Sequence, residues 1–269
     1  MRPPGASEDP RLLSLDLWHT LVYLEPEAEE AYMRAQVDLA ASVLEQSTRR
    51  PGAPVTDDGV LRSAFEQVYA EAVVASQAGR SVTPSMQITE AGQRTGRSPD
   101  PRAYLQGLRG LVATTRFLPA PGAVTALTEL REEGWGTAVV SNTVGEPGSA
   151  LRPVLQRMGF EPLVDAYVFS DEEPWTKPAP EIFREAVGRA HASPERTVHV
   201  GDGWVDIEGA RRAGLRAGVL YTGLQRYGRR YRELFLPEGW SEPVTPYRAA
   251  SWVEVPGVVR SLVPGQRSG

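Results

Sequence analysis

The apolar run Leu12-Leu13-Ser14-Leu15 delivers an aspartate, Asp16, and then Leu17-Trp18-His19-Thr20-Leu21. A carboxylate at the end of a short apolar strand sits at the carboxyl edge of a parallel sheet, where α/β enzymes place their chemistry. A second run, Val198-His199-Val200-Gly201, ends in Asp202-Gly203-Trp204-Val205-Asp206, so carboxylates from distant segments can converge on one point. Between them lie Ser141, after Thr137-Ala138-Val139-Val140, and Lys177 in the loop Pro174-Trp175-Thr176-Lys177-Pro178. Every other basic side chain is arginine or histidine, so Lys177 is the only lysine in the chain. Each of these residues also has an ordinary structural reading. Asp16 could cap a turn, Thr20 or Ser141 could cap a helix, Asp206 could be an N-cap with Asp202 in the turn before it, and Lys177 could be solvated.

Positioning these groups requires strands that alternate with helices. From residue 121 onward a helix running to about 133 is stopped by Gly134, and a strand is predicted over 136–141. A helix then starts near Pro147, a strand spans 166–169, and a helix spans about 178–191. A strand over 197–201, a helix over about 205–213 and a strand over 217–221 complete the pattern. Single helices between strands imply right-handed crossovers and a parallel sheet covered on both faces, an α/β fold. Residues 26–118 carry helical spacing, clearest in Leu61, Phe65, Val68, Tyr69, Ala72 and Val73 and again in Tyr104, Leu105, Leu108, Leu111 and Val112, with no convincing strand. Near the C-terminus, 249–255 is predicted as an edge strand and 256–263 as a closing helix. His191 and His199 read as structural, at a helix end and within a strand. Arg226, Arg229, Arg230 and Arg232, interleaved with Tyr227 and Tyr231, read either as a solvated helix face or as a binder of a phosphate-bearing or acidic partner.

Composition narrows the function classes. The 269 residues are 41% hydrophobic, enough for one large domain and a smaller one. A net charge of −5 and a pI near 5.4 argue against nucleic acid or an anionic membrane as partner. With no cysteine there is no disulfide framework, thiolate zinc site or Cys nucleophile. The first ten residues lack the apolar core of a signal peptide and no apolar run is long enough to span a bilayer, so the expected location is cytoplasmic.

Asp16, Ser141, Lys177 and the Asp202/Asp206 pair, in that order, resemble the haloacid dehalogenase superfamily of phosphatases and related hydrolases. The likeness extends from about Leu12 to Val263. It implies a Rossmann-like, doubly wound parallel sheet over residues 1–25 and 119–269, with an all-helical cap domain inserted over 26–118, as in the phosphatase-like subgroup with its cap after the first motif. It further implies that Asp16 is a nucleophile forming an aspartyl-phosphate. Thr20, Ser141 and the backbone amides after Asp16 and at Asn142 then donate to phosphoryl oxygens, and Lys177 neutralises the nucleophile and binds the phosphoryl group. Asp16, Asp202 and Asp206 form an all-oxygen set that suits Mg²⁺, completed by the Trp18 backbone carbonyl, because three clustered carboxylates repel one another without a cation. The substrate is a small molecule, expected to be phosphorylated, and the protein a monomer or homodimer.

The first motif departs from the family's phosphatases, which usually carry an aspartate where Trp18 stands and a glycine where His19 stands. That aspartate protonates the leaving oxygen, a step worth about 10²- to 10⁴-fold in rate, so an acyl phosphate should suffer less from its loss than an alkyl monoester. His19 offers an alternative proton source. An aromatic residue at position 18 is also similar to the true haloacid dehalogenases of the superfamily, which attack carbon without metal, although Asp202 resembles a metal ligand that they lack. A third reading is a binding protein that keeps the fold without turnover. Trp18, Trp175 and Trp204 flank the motif residues and could wall the substrate site or pack beneath the cap.

Overall fold

The computed structural model describes residues 10–225, 227 and 244–265. Strand β1 (Arg11–Leu15) leads into a tight loop and the two-residue strand β2 (Val22–Tyr23). Four helices follow: α1 (Pro26–Gln46), α2 (Asp58–Gln77), α3 (Pro84–Arg94) and α4 (Pro101–Thr114). Their starts are written in the sequence. Asp57, Thr83 and Asp100 each accept a backbone N–H of the following first turn, and proline occupies an opening position of α1, α3 and α4.

These helices bury a core of their own, in which Ala40, Leu44, Leu61, Phe65, Ile88, Tyr104 and Leu108 meet. Two short antiparallel pairs lie in or beside this region, against the expectation of no strand: β3 (Thr48–Arg49) with β4 (Arg97–Ser98), and β2 with β5 (Leu118–Pro119). A two-residue pair has no periodicity to read. The second pair forms the neck where the chain leaves and rejoins the sheet.

Beyond the neck come α5 (Ala123–Glu132), β6 (Trp135–Ser141), α6 (Gly148–Arg157), β7 (Ala166–Phe169), α7 (Pro180–Arg189), β8 (Thr197–Gly201), α8 (Trp204–Ala213) and β9 (Ala217–Tyr221). Gly214, at φ +75°, supplies the left-handed residue that ends α8. Strand β10 (Arg248–Ala249) and helix α9 (Val255–Leu262) close the described chain. The edge strand is shorter than predicted because the Glu254 carboxylate accepts the Ala250 N–H and the Ser251 hydroxyl, which turns residues 251–254 out of the sheet. Of the arginine cluster, Arg226, Arg229, Arg230, Arg232 and the intervening Tyr231 lie outside the described residues, whereas Tyr227 packs on Tyr23 at 4.5 Å.

All six long-range strands run parallel in the order β10-β9-β8-β1-β6-β7. The fold is therefore an α/β, Rossmann-like doubly wound sheet. Alternate residues of its strands feed two cores: Leu13, Leu15, Val139 and Val200 pack with α5, α6 and α9, while Leu12, Ala138, Val140 and Val168 pack with α7 and α8. Strand β1 lies between β6 and β8, so the chain order reverses at its carboxyl end, the crevice where open α/β sheets bind ligands.

Candidate active site

Asp16 follows β1 and is held by its own N–H, which donates to the Val200 carbonyl at 2.9 Å. The loop behind it is a compact turn: the amides of Leu21 and Val22 both donate to the Leu17 carbonyl at 2.9 Å, and the His19 amide donates to the Val22 carbonyl at 2.8 Å. His19 sits at φ +56°, a left-handed conformation that is uncommon outside glycine. The Thr20 hydroxyl reaches an Asp16 oxygen only at 3.4 Å, and the Thr20 carbonyl accepts the buried Trp252 indole N–H at 2.9 Å.

Lys177 is 2% exposed and lies between two carboxylates, donating to Asp16 Oδ1 and, at 2.7 Å, to Asp206 Oδ1. Its loop is clamped by Asn142, whose side chain accepts the Lys177 N–H at 2.8 Å and donates to the Lys177 carbonyl and to Ser76 of α2, each at 3.0 Å. Asp206 is engaged through both carboxylate oxygens. Its Oδ1 takes Lys177 and His199 Nε2 (3.1 Å), and its Oδ2 takes the Gly203 N–H (3.0 Å) at the start of α8. Gly201 makes room for it, since a Cβ there would lie 2.3 Å from the Asp206 carboxyl carbon.

The electrostatics follow from this burial. Burial pushes Asp16 up to about 7, with Asp206 and Asp202 acting the same way and Lys177 opposing them. For Asp206 burial also acts upward, but Lys177 and His199 outweigh it and hold the carboxyl below the ordinary carboxylate range. Burial works against the Lys177 charge, yet Asp16 and Asp206 keep the ammonium above its usual range. His199 is pushed down by burial and is neutral. Because ionised Asp206 can only accept, Nε2 carries the ring proton, and Nδ1 accepts the Ser14 hydroxyl at 2.9 Å. The structural reading of His199 thus acquires a definite task, orienting Asp206 from beneath the sheet edge.

One cavity of about 180 Å³ joins these groups to the inserted helices. Asp16, Trp18, His19, Asn142, Lys177, Asp202, Trp204 and Asp206 line it, with Tyr32 and Gln36 of α1, Ser76 of α2 and Glu146 from the loop after β6. Ser141 and Thr20 are fully buried and do not line it, and the Ser141 hydroxyl has no hydrogen-bond partner among the described residues. Trp18 packs on Phe117 (centroids 5.4 Å apart), which in turn meets Tyr32 edge-on at 5.4 Å. His19 reaches Glu29 at 3.1 Å and lies 4.0 Å from Asp202. Trp175 is a predicted substrate-site residue that the structure does not bring in. It is 36% exposed, pairs by its backbone with Arg80 and lies outside the cavity, because the loop turns inward only at Thr176 and Lys177. Glu146, Gln36 and Tyr32 carry no motif and went unmarked in the sequence.

A family model described as haloacid dehalogenase-like hydrolase matches residues 10–214. The chain belongs to the haloacid dehalogenase-like hydrolase family. A phosphoglycolate phosphatase from Cereibacter sphaeroides is 39% identical over 103 residues, 38% of this chain and 45% of that protein. A glyceraldehyde 3-phosphate phosphatase from Methanothermobacter thermautotrophicus is 36% identical over 102 residues, 37% of this chain and 43% of that protein. The matched stretch spans less than half the length of either relative. Among solved structures, a 2-haloacid dehalogenase from Pseudomonas syringae superposes with a TM-score of 0.61 at 19% identity, covering 94% of this chain and 99% of that one. At that identity the likeness is one of fold.

The haloacid dehalogenase-like site offers a hard cation a fitting donor set. Asp16, Asp202 and Asp206 each present an oxygen, and these atoms lie within 4.8 Å of one another. Lys177 bridges two of the three carboxylates, which leaves the third uncompensated by it, and the ligand set is all oxygen, as Mg²⁺ prefers. The bonds that Asp206 already makes leave it a single lone pair on Oδ2. Its main task in this arrangement is therefore to hold Lys177.

Proposed function

We propose that this protein is a phosphatase for small phosphorylated molecules, working through an aspartyl-phosphate at Asp16. The observation that carries this reading is the Lys177 bridge: a buried ammonium fixes Oδ1 of Asp16, a residue that lines the cavity, and leaves Oδ2 with only a long Thr20 contact. In the first step Oδ2 forms a bond to phosphorus as the phosphorus–oxygen bond of the leaving group breaks, and in the second a water attacks phosphorus and releases Asp16. The buried Lys177 charge, which lines the cavity, faces developing negative charge without having to reorganise.

Asp16, Asp202, Asp206 and the Trp18 carbonyl would hold Mg²⁺, which supplies charge neutralisation at the phosphoryl group. Trp18 brings no proton to the leaving oxygen. Substrates whose leaving group needs none are therefore turned over best. The helices over residues 26–114 act as the cap, since α1 and α2 line the cavity. The carbon-attacking dehalogenase reading draws on the aromatic Trp18 alone, while the acidic triad favours phosphoryl chemistry.

Phosphate release from acetyl phosphate and p-nitrophenyl phosphate, with Mg²⁺ or with EDTA, tests this. Metal-dependent turnover that prefers acetyl phosphate and disappears in Asp16→Asn is expected. Release from neither substrate, or release that survives Asp16→Asn, would remove the proposal.

A further inference from the structure

Glu146 is a buried acid that the phosphoryl chemistry does not use. It lies in the loop between β6 and α6, is 7% exposed and lines the same cavity as Asp16. Among the described residues its well-formed side-chain partner is Gln36, whose amide donates to Oε1 at 2.8 Å. No cation lies against it: burial dominates its environment, followed by Tyr32 and Gln36 of α1 and the more distant charge of Asp171, while Tyr104 of α4 feels it across the helix core. Burial pushes the carboxyl up to about 7. The neighbouring Tyr32 hydroxyl is buried, lines the cavity and makes no hydrogen bond of normal geometry, although it is close enough to act on Glu146.

Tyr32 and Gln36 act on the Glu146 carboxyl without using all its acceptor capacity, and a buried carboxyl with acceptor capacity to spare is costly unless something else completes the set. Both groups face the one cavity that also opens on the nucleophile, so the missing partner is the part of the substrate that is not phosphate.

We propose that Glu146, Gln36 and Tyr32 form a recognition subsite for the substrate's tail, accepting hydroxyl or amino groups and rejecting a second carboxylate. The inference rests on the phosphatase reading and names the tail of its substrate, one that carries hydroxyl or amino groups and no second carboxylate, whatever the leaving group. A hydroxyl donates to Glu146 while accepting from Tyr32, which satisfies both at once. Above about pH 7, where Glu146 is ionised, a tail carboxylate would meet a like charge and find no arginine among the described residues of the cavity.

The test compares kcat/KM for glycerol 3-phosphate and phosphoglycolate, two alkyl monoesters with similar leaving groups, with p-nitrophenyl phosphate as a tail-free reference. Glycerol 3-phosphate should be preferred at least about tenfold, the discrimination expected when polar groups are built for one partner. Glu146→Gln, which keeps an acceptor and removes the charge, should reduce that ratio several-fold. Tyr32→Phe should raise KM for glycerol 3-phosphate. Equal use of the two esters, preference for phosphoglycolate, or a ratio unchanged in a folded Glu146→Gln overturns the subsite. Turnover of acetyl phosphate or p-nitrophenyl phosphate with release from neither alkyl ester overturns the subsite alone, whereas release from none of these, acetyl phosphate included, removes the phosphatase reading and the subsite with it.

Discussion

At the residue scale the centre is a problem of charge. Asp16, Asp206 and Lys177 are buried together, and the lysine lies within bonding distance of both carboxylates. Removing one member of such a set leaves an uncompensated charge and costs about 3–5 kcal/mol. Lys177→Met should therefore unfold at markedly lower denaturant than the parent in EDTA, with part of the loss recovered in Mg²⁺ through binding to the folded state. Equal stability of variant and parent in EDTA would show that Lys177 is not what balances Asp16 and Asp206. Trp18 makes the opposite prediction. Because the ring leans on Phe117 and brings no proton, Trp18→Asp should raise turnover of an alkyl monoester such as glycerol 3-phosphate relative to acetyl phosphate by about 10²-fold or more, the scale of general acid catalysis. An unchanged ratio would mean that the leaving group obtains its proton elsewhere in the cavity.

At the scale of elements, most of the core was legible because apolar runs bounded by breakers mark their own ends. Strands β8 and β9 fall on the predicted residues, β6 starts one residue earlier than expected, and Gly134 and Gly214 stop α5 and α8 where glycine should. The meeting of the motif aspartates with Lys177 was legible for the same reason, since each follows a readable strand or adjoins a readable helix. The neck pair β2/β5 was not, because two residues carry no period. Nor was the separation of Trp175 from Lys177, two positions apart, which depends on where one loop turns into the sheet. Glu146, Gln36 and Tyr32 were invisible because only tertiary packing of α1 over the β6 loop brings them together. Gly201 tests how tightly β8 and α8 are fitted. An added methyl would collide with Asp206, and since misplacement of a catalytic group by about 1 Å can cost 10²-fold, Gly201→Ala should lower kcat by about that factor while the protein stays folded. Activity equal to that of the parent would show that the strand yields freely.

At the scale of the whole molecule, the two-part build puts an acid between two cores. Glu146 titrates near 4.5 when unfolded and at about 7 in the fold, so between those values the folded state holds the extra proton and stability declines as pH rises. The full penalty is present above the folded value and amounts to about 3 kcal/mol. Asp16 shifts in the same direction in the absence of metal, so the parent alone does not isolate Glu146. Comparison with Glu146→Gln does: the variant should gain about 3 kcal/mol on the parent between about pH 4 and pH 8 in chemical denaturation, and a constant difference would place Glu146 in a wetter setting than its burial indicates. The parts converge on one claim, that Asp16 becomes phosphorylated. Acid quenching during turnover of acetyl phosphate in Mg²⁺, followed by peptide mass analysis, tests it most directly. The peptide holding Asp16 should carry the mass of one phosphoryl group, and the adduct should be absent from Asp16→Asn. Phosphate release in the parent with every carboxylate of that peptide unmodified would contradict it.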